Sequence, residues 1–166
     1  SLDTVVNGNI VFNNEYHGIY VSGTNGHPVT VSNNIVYGHS GNNDTGITIN
    51  EYAVVVNNTV RDNYRGIYST GSSDISSNIA YDNVYGIDTR NSSIVSENKV
   101  YDNNTGIYAG SYYNKFFGSV DHNLVYNNDT VGIYVADAGI YSGNVPEIAN
   151  NTIYQQQGTA IKLTGS

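Results

Sequence analysis

The sequence predicts an all-β solenoid: about seven coils, each of three short strands. Two observations predict it. A twenty-residue unit is written three times in a row, as N-T-V-R-D-N-Y-R-G-I-Y from Asn58, N-I-A-Y-D-N-V-Y-G-I-D from Asn78 and N-K-V-Y-D-N-N-T-G-I-Y from Asn98. Within each copy the apolar residues alternate with polar ones at a spacing of two, the period of a strand. A fixed period of this size marks a repeat architecture. The frame returns more loosely at Asn9, Asn34, Asn123 and Asn151.

The elements follow in order from that asparagine. Three residues upstream stand Val6, Val31, Val55, Ile75, Val95, Val120 and Ile148. Two residues downstream stand Val11, Val36, Val60, Ala80, Val100, Val125 and Ile153. A glycine comes next, at Gly18, Gly46, Gly66, Gly86, Gly106 and Gly132, with Ala160 in the last copy, and isoleucine follows every one, from Ile19 to Ile161. Each copy thus carries three β-branched runs separated by Asn- and Gly-rich turns. Asn, Gly and Ser are poor helix interiors, so a helical reading fails. One copy cannot bury its apolar face alone. Stacked copies place Val on Val and Ile on Ile at the strand spacing of about 4.8 Å. Three strands per turn stacked in this way make a right-handed parallel β-helix, about 34 Å long for seven coils. The recurring asparagine is expected to take a left-handed turn conformation and to stack amide on amide. The glycine is expected to mark a positive-φ turn.

The frame I-x-x-N-x-V-Y-x-N-x-x-x-G-I resembles the parallel β-helix repeat of pectate lyase-like proteins, NosD-type proteins, and carbohydrate-binding and sugar-hydrolase β-helix domains. The resemblance runs from Thr4 to Leu163. It implies the fold strongly and any one activity weakly. Such proteins include polysaccharide lyases, uronan epimerases, glycoside hydrolases and non-catalytic segments of large surface proteins. The Asp-Pro-His signature of the epimerases does not occur here, nor does the polygalacturonase pattern of paired aspartates with His-Gly and Arg-Ile-Lys.

Composition narrows the function. The 166 residues suit a single domain, 1–166. Six Lys and Arg against fourteen Asp and Glu give a net charge of −8, so no basic footprint for nucleic acid or anionic lipid is present. Without cysteine there is no disulfide, thiolate ligand or Cys nucleophile. No apolar run approaches a membrane span. Asn-x-Ser/Thr triplets such as Asn57-Asn58-Thr59 are expected by chance in a chain this rich in asparagine. Solenoid ends need polar caps, and neither end of this chain reads as one, which is the pattern expected of a segment cut from a longer protein.

Several columns carry candidate chemistry. In the glycine-led strand the outward row is Tyr20, Thr48, Tyr68, Asp88, Tyr108, Tyr134 and Lys162. In the families named above this face is where substrate lies, which implies carbohydrate binding at Tyr20, Tyr68, Tyr108 and Tyr134. Tyrosine also simply suits an exposed strand position. The rhythm breaks at 110–118, where Tyr112, Tyr113, Phe116 and Phe117 form an aromatic insertion, and again at 136–146. The insertion either adds Tyr112 and Tyr113 to a binding lip or folds down on the rod. A second row, Phe12, Tyr37, Arg61, Tyr81, Tyr101, Tyr126 and Tyr154, is regular enough to be scaffold, ring on ring.

Asp62, Asp82 and Asp102 fall in register. Two readings fit them: carboxylates that accept backbone N–H groups in Asx turns, or Ca2+ held between neighbours with Asn63, Asn83 and Asn103 as further oxygen ligands. Arg61 and Arg65 stand close enough in sequence to neutralise part of the column. For an enzyme of this fold, Arg90 or Arg65 is the expected base and Asp88 the metal or substrate ligand. A glycosidase pair needs two neighbouring carboxylates, and Asp88 stands alone on its row. The reading as a whole is a non-catalytic repeat domain of a large secreted or cell-surface protein, a rigid scaffold that contacts glycan and requires no cofactor. The rival is a polysaccharide lyase.

Overall fold

The computed structural model describes residues 4–111, 114–136 and 145–165. Among them lie three seven-stranded sheets, and every neighbouring pair within a sheet is parallel. Each coil gives one strand to each sheet. In the fourth coil these are Asp74–Ser76, Ile79–Tyr81 and Tyr85–Thr89. The first and second strands are short because a turn follows within a few residues. The third is five residues long in every coil.

The register is the one the repeat predicts. Val55, Ile75 and Val95 lie over one another in the first sheet. Val60, Ala80 and Val100 do so in the second, and Ile67, Ile87 and Ile107 in the third. These files meet on the axis of the rod, and all nine side chains are fully buried. Their burial is the main stabilising term, since each β-branched side chain removed from water contributes about 1.5–3 kcal/mol.

Asparagine ladders close two of the corners. Asn78 donates its backbone N–H to the next asparagine of the file, at Asn98 Oδ1, at 2.9 Å. Its Nδ2 donates to Asn98 Oδ1 at 3.1 Å, to Val55 O and to Ser76 O. The same pattern runs from Asn9 through Asn34, Asn58, Asn78, Asn98 and Asn123 to Asn151. The left-handed conformation, however, belongs to the residue before each ladder asparagine: Asn33, Asn57, Ser77, Glu97, His122 and Asn150. The ladder residue has to keep its amide turned into the corner, so the chain reverses one position earlier.

The recurring glycine also differs from expectation. Gly66 and Gly86 are absent from the positive-φ positions of the chain. Glycine is needed there for space. A Cβ on Gly86 would stand 2.7 Å from Gly106 O, 2.8 Å from Val100 Cγ1 and 3.0 Å from Asn103 Nδ2. The aromatic insertion folds down on the rod at its far end: Phe116 is buried in the core and bridges to Asn91. No helix among the described residues is long and apolar enough to cross a membrane.

Candidate functional site

The outer face of the third sheet gathers the side chains with the most chemistry. Tyr68, Asp88 and Tyr108 are aligned on neighbouring strands, and Tyr134 and Lys162 continue the row. Arg65 and Tyr85 stand side by side three positions earlier on the same strands. Arg90 follows Asp88 by two residues, so both point to the same side of the sheet.

These groups converge. Asp88 Oδ2 accepts from Arg65 Nε at 2.8 Å, and Asp88 Oδ1 accepts from Arg90 Nη1, which also donates to Thr89 O. Although the row faces outward, Asp88 is 2% exposed and Arg90 is 6% exposed. The cover is aromatic. The Arg90 guanidinium lies 5.0 Å from the Tyr108 ring centre and 5.8 Å from that of Tyr68. Arg65 lies 4.8 Å from Tyr68 and 5.3 Å from Tyr64. Burial pushes the Asp88 carboxyl above its ordinary range, and the two guanidiniums oppose that shift. Burial likewise raises the Tyr85 and Tyr108 hydroxyls, so both stay protonated at neutral pH and serve as donors and acceptors.

The rings of this face are not stacked flat. Tyr85 meets Tyr108 at 56° and Tyr108 meets Tyr134 at 71°. Lys162 Nζ stands 4.6 Å over Tyr134. Tyr20 is the open end of the row, 59% exposed, with His17 against its ring. Tyr112 and Tyr113 lie outside the described residues.

The three residues expected to serve an enzyme, Arg65, Asp88 and Arg90, are therefore brought together. A base has to accept a proton, whereas here both guanidiniums donate into one carboxylate. Asp88 is flanked in its row by Tyr68 and Tyr108, so among the described residues it has no second acid beside it of the kind a glycosidase pairs.

Asp62, Asp82 and Asp102 lie at the corner between the second and third sheets. They line a shallow groove of about 610 Å3 with Asn13, Ser40 and Asp129. Their φ angles of 53 to 55° put them in the left-handed region, where Asp and Asn are tolerated best. Asn13, Gly38 and Asn127 hold the same place in other coils. Arg61 pairs with Asp62, whereas Arg65 is spent on Asp88. Burial, and then the charges of Asp62 and Asp102, raise the Asp82 carboxyl. The amide oxygens of Asn83 and Asn103 face inward and accept from the coil before. Among the described residues no group of three or more His, Cys, Asp or Glu is arranged to hold a metal ion.

Those inward amides form a second ladder that sequence reasoning missed. Asn63, Asn83, Asn103 and Asn128 are all buried; the first three each donate to the Oδ1 of the next, and Asn128 donates its backbone N–H to Gln155 Oε1. His39 takes the place in the second coil, with Nδ1 2.9 Å from Asn63 Oδ1 and Nε2 3.1 Å from Asn14 Nδ2. The signal was available: an asparagine stands five residues after each ladder asparagine from Asn58 to Asn123.

The family model described as right handed beta helix region matches residues 43–166. No curated protein and no solved structure matches the chain.

Proposed function

The chain belongs to the right-handed β-helix family, and from that premise we propose that it is a non-catalytic scaffold domain whose third sheet contacts glycan. The observation that carries this reading is the tilted tyrosine row. Tyr68, Tyr108 and Tyr134 are half-buried and their rings are held by cations and by edge contacts, so the rings are positioned before any ligand arrives. Side chains positioned in advance lose little entropy on binding. Tyrosine offers a sugar both an apolar face and a polar tip. In the same reading the rod is part of a larger secreted or cell-surface protein, where glycan is the ligand it meets. Affinity electrophoresis against a panel of polysaccharides tests it. Retention by at least one of them, lost in Tyr68→Ala and Tyr108→Ala variants that still melt cooperatively, is the expected result. No retention by any glycan removes this part of the reading.

The convergence of Arg65, Asp88 and Arg90 favours one second reading, a polysaccharide lyase. A screen for unsaturated uronide product, with and without Ca2+, decides between them. Product formation that Arg90→Ala abolishes would reverse the order.

A further inference from the structure

We propose that the tyrosine stack on the second sheet, Tyr81–Tyr101–Tyr126, is a site of oxidative cross-linking that staples consecutive coils through dityrosine. The three residues are aligned on adjacent parallel strands. Their rings lie 5.1 and 5.0 Å apart, at interplanar angles of 5° and 2°. Near-parallel rings on equivalent strand positions allow the carbon beside one hydroxyl to approach the same carbon of its neighbour. The contrast is on the same molecule. Tyr108 and Tyr134 are 5.2 Å apart but cross at 71°, so their rings do not lie parallel.

The stack is also reachable and rigid. All three rings are half-buried, with their outer edges in solvent. The backbone on either side is locked by the two ladders: Asn78 and Asn98 are buried three positions before Tyr81 and Tyr101, and Asn83 and Asn103 two positions after them. Fixed neighbours react as if at very high concentration, so coupling within the rod outruns coupling between molecules.

The chemistry balances with a peroxide as oxidant and a haem peroxidase as its carrier. Each phenol loses one electron and one proton to become a phenoxyl radical. Two radicals join through a new carbon–carbon bond between the ring positions beside the hydroxyls. The hydrogen on each of those carbons then moves to oxygen and restores the phenol. In sum, two tyrosines and one hydrogen peroxide give one dityrosine and two waters.

Exposure alone predicts a different product. Among the described residues the most exposed tyrosines are Tyr16, Tyr20 and Tyr154, which by exposure alone would couple between molecules. The test treats the intact chain, dilute, with a haem peroxidase and limiting hydrogen peroxide. The monomer fraction is then separated and its cross-linked peptides are mapped by mass spectrometry. The expected result is dityrosine within monomers, joining Tyr101 to Tyr81 or to Tyr126. Tyr101→Phe lowers the monomer dityrosine signal by about tenfold, and Tyr16→Phe leaves it unchanged. Dityrosine confined to covalent dimers, or mapped in monomers to pairs outside the stack, overturns the proposal. The peptide map of the unmodified chain gives this answer even where the Tyr101 variant folds poorly.

Discussion

Arg65 Nε donates to Asp88 Oδ2 at 2.8 Å across the boundary between two coils, and it does so on a face that the strand pattern turns toward solvent. A charged group set outward has been buried by its own neighbours. The acid needs two guanidiniums because each carboxylate oxygen, once removed from water, requires a donor.

Removing the acid is therefore costly. Asp88→Ala leaves Arg90 buried beside an empty place, and the expected loss is about 3 kcal/mol, since breaking one side of a buried pair leaves a charge uncompensated. Arg65 is partly exposed and swings out to water, which holds the loss near the lower end of that class. Replacing Arg65, Asp88 and Arg90 together with apolar residues of similar volume is expected to return most of the stability. Urea unfolding of the single and triple variants checks both.

The carboxylate column gives a pH-dependent prediction. The folded-state pKa of Asp82 is raised, so the folded chain holds that proton more readily than the unfolded chain does. Its contribution favours the fold at acid pH. The contribution is lost as pH rises from the ordinary Asp value of about 3.9 through the raised one. Asp82→Asn keeps a residue suited to φ of 55° and removes one charge from a repelling row. At pH 7 it is expected to stabilise by about 0.2–1 kcal/mol, a small gain because the group is exposed and screened. The gain vanishes at pH 3. A Ca2+-dependent rise in melting temperature that this variant abolishes would instead assign the column to a cation.

The asparagine ladder is the most sensitive polar element. Asn78→Ala deprives Asn58 N and Asn58 Nδ2 of their shared acceptor and removes a donor from Val55 O, all inside a buried corner. The expected cost is about 2–4 kcal/mol, from several buried groups left unpaired. Ser77→Ala, one position earlier and half-exposed, is expected to cost far less, which thermal melting would show directly.

Gly86→Ala separates the two reasons for a glycine. The position requires no left-handed backbone, so a conformational account predicts little effect. The packing account predicts a loss of about 1–3 kcal/mol, because the new carbon meets backbone oxygen and a core valine that cannot yield. Chemical denaturation distinguishes them.

The files of core residues were legible in the repeat alone. A twenty-residue period with β-branched residues at fixed offsets admits one economical burial, and Val55, Ile75 and Val95 lie where that period puts them. It likewise put Tyr81, Tyr101 and Tyr126 at equivalent positions of adjacent parallel strands, where their rings stack. Side-chain direction off the strand depended instead on how the coils pack. That packing sent Arg65 to Asp88 instead of to the aspartate column and turned Asn83 and Asn103 inward as a ladder. It also moved the left-handed residue one place ahead of the asparagine and drew Phe116 down into the core. Alternation along a strand says which side a residue leaves from. The long side chains of arginine and phenylalanine, and the corners where alternation stops, settle where its far end comes to rest.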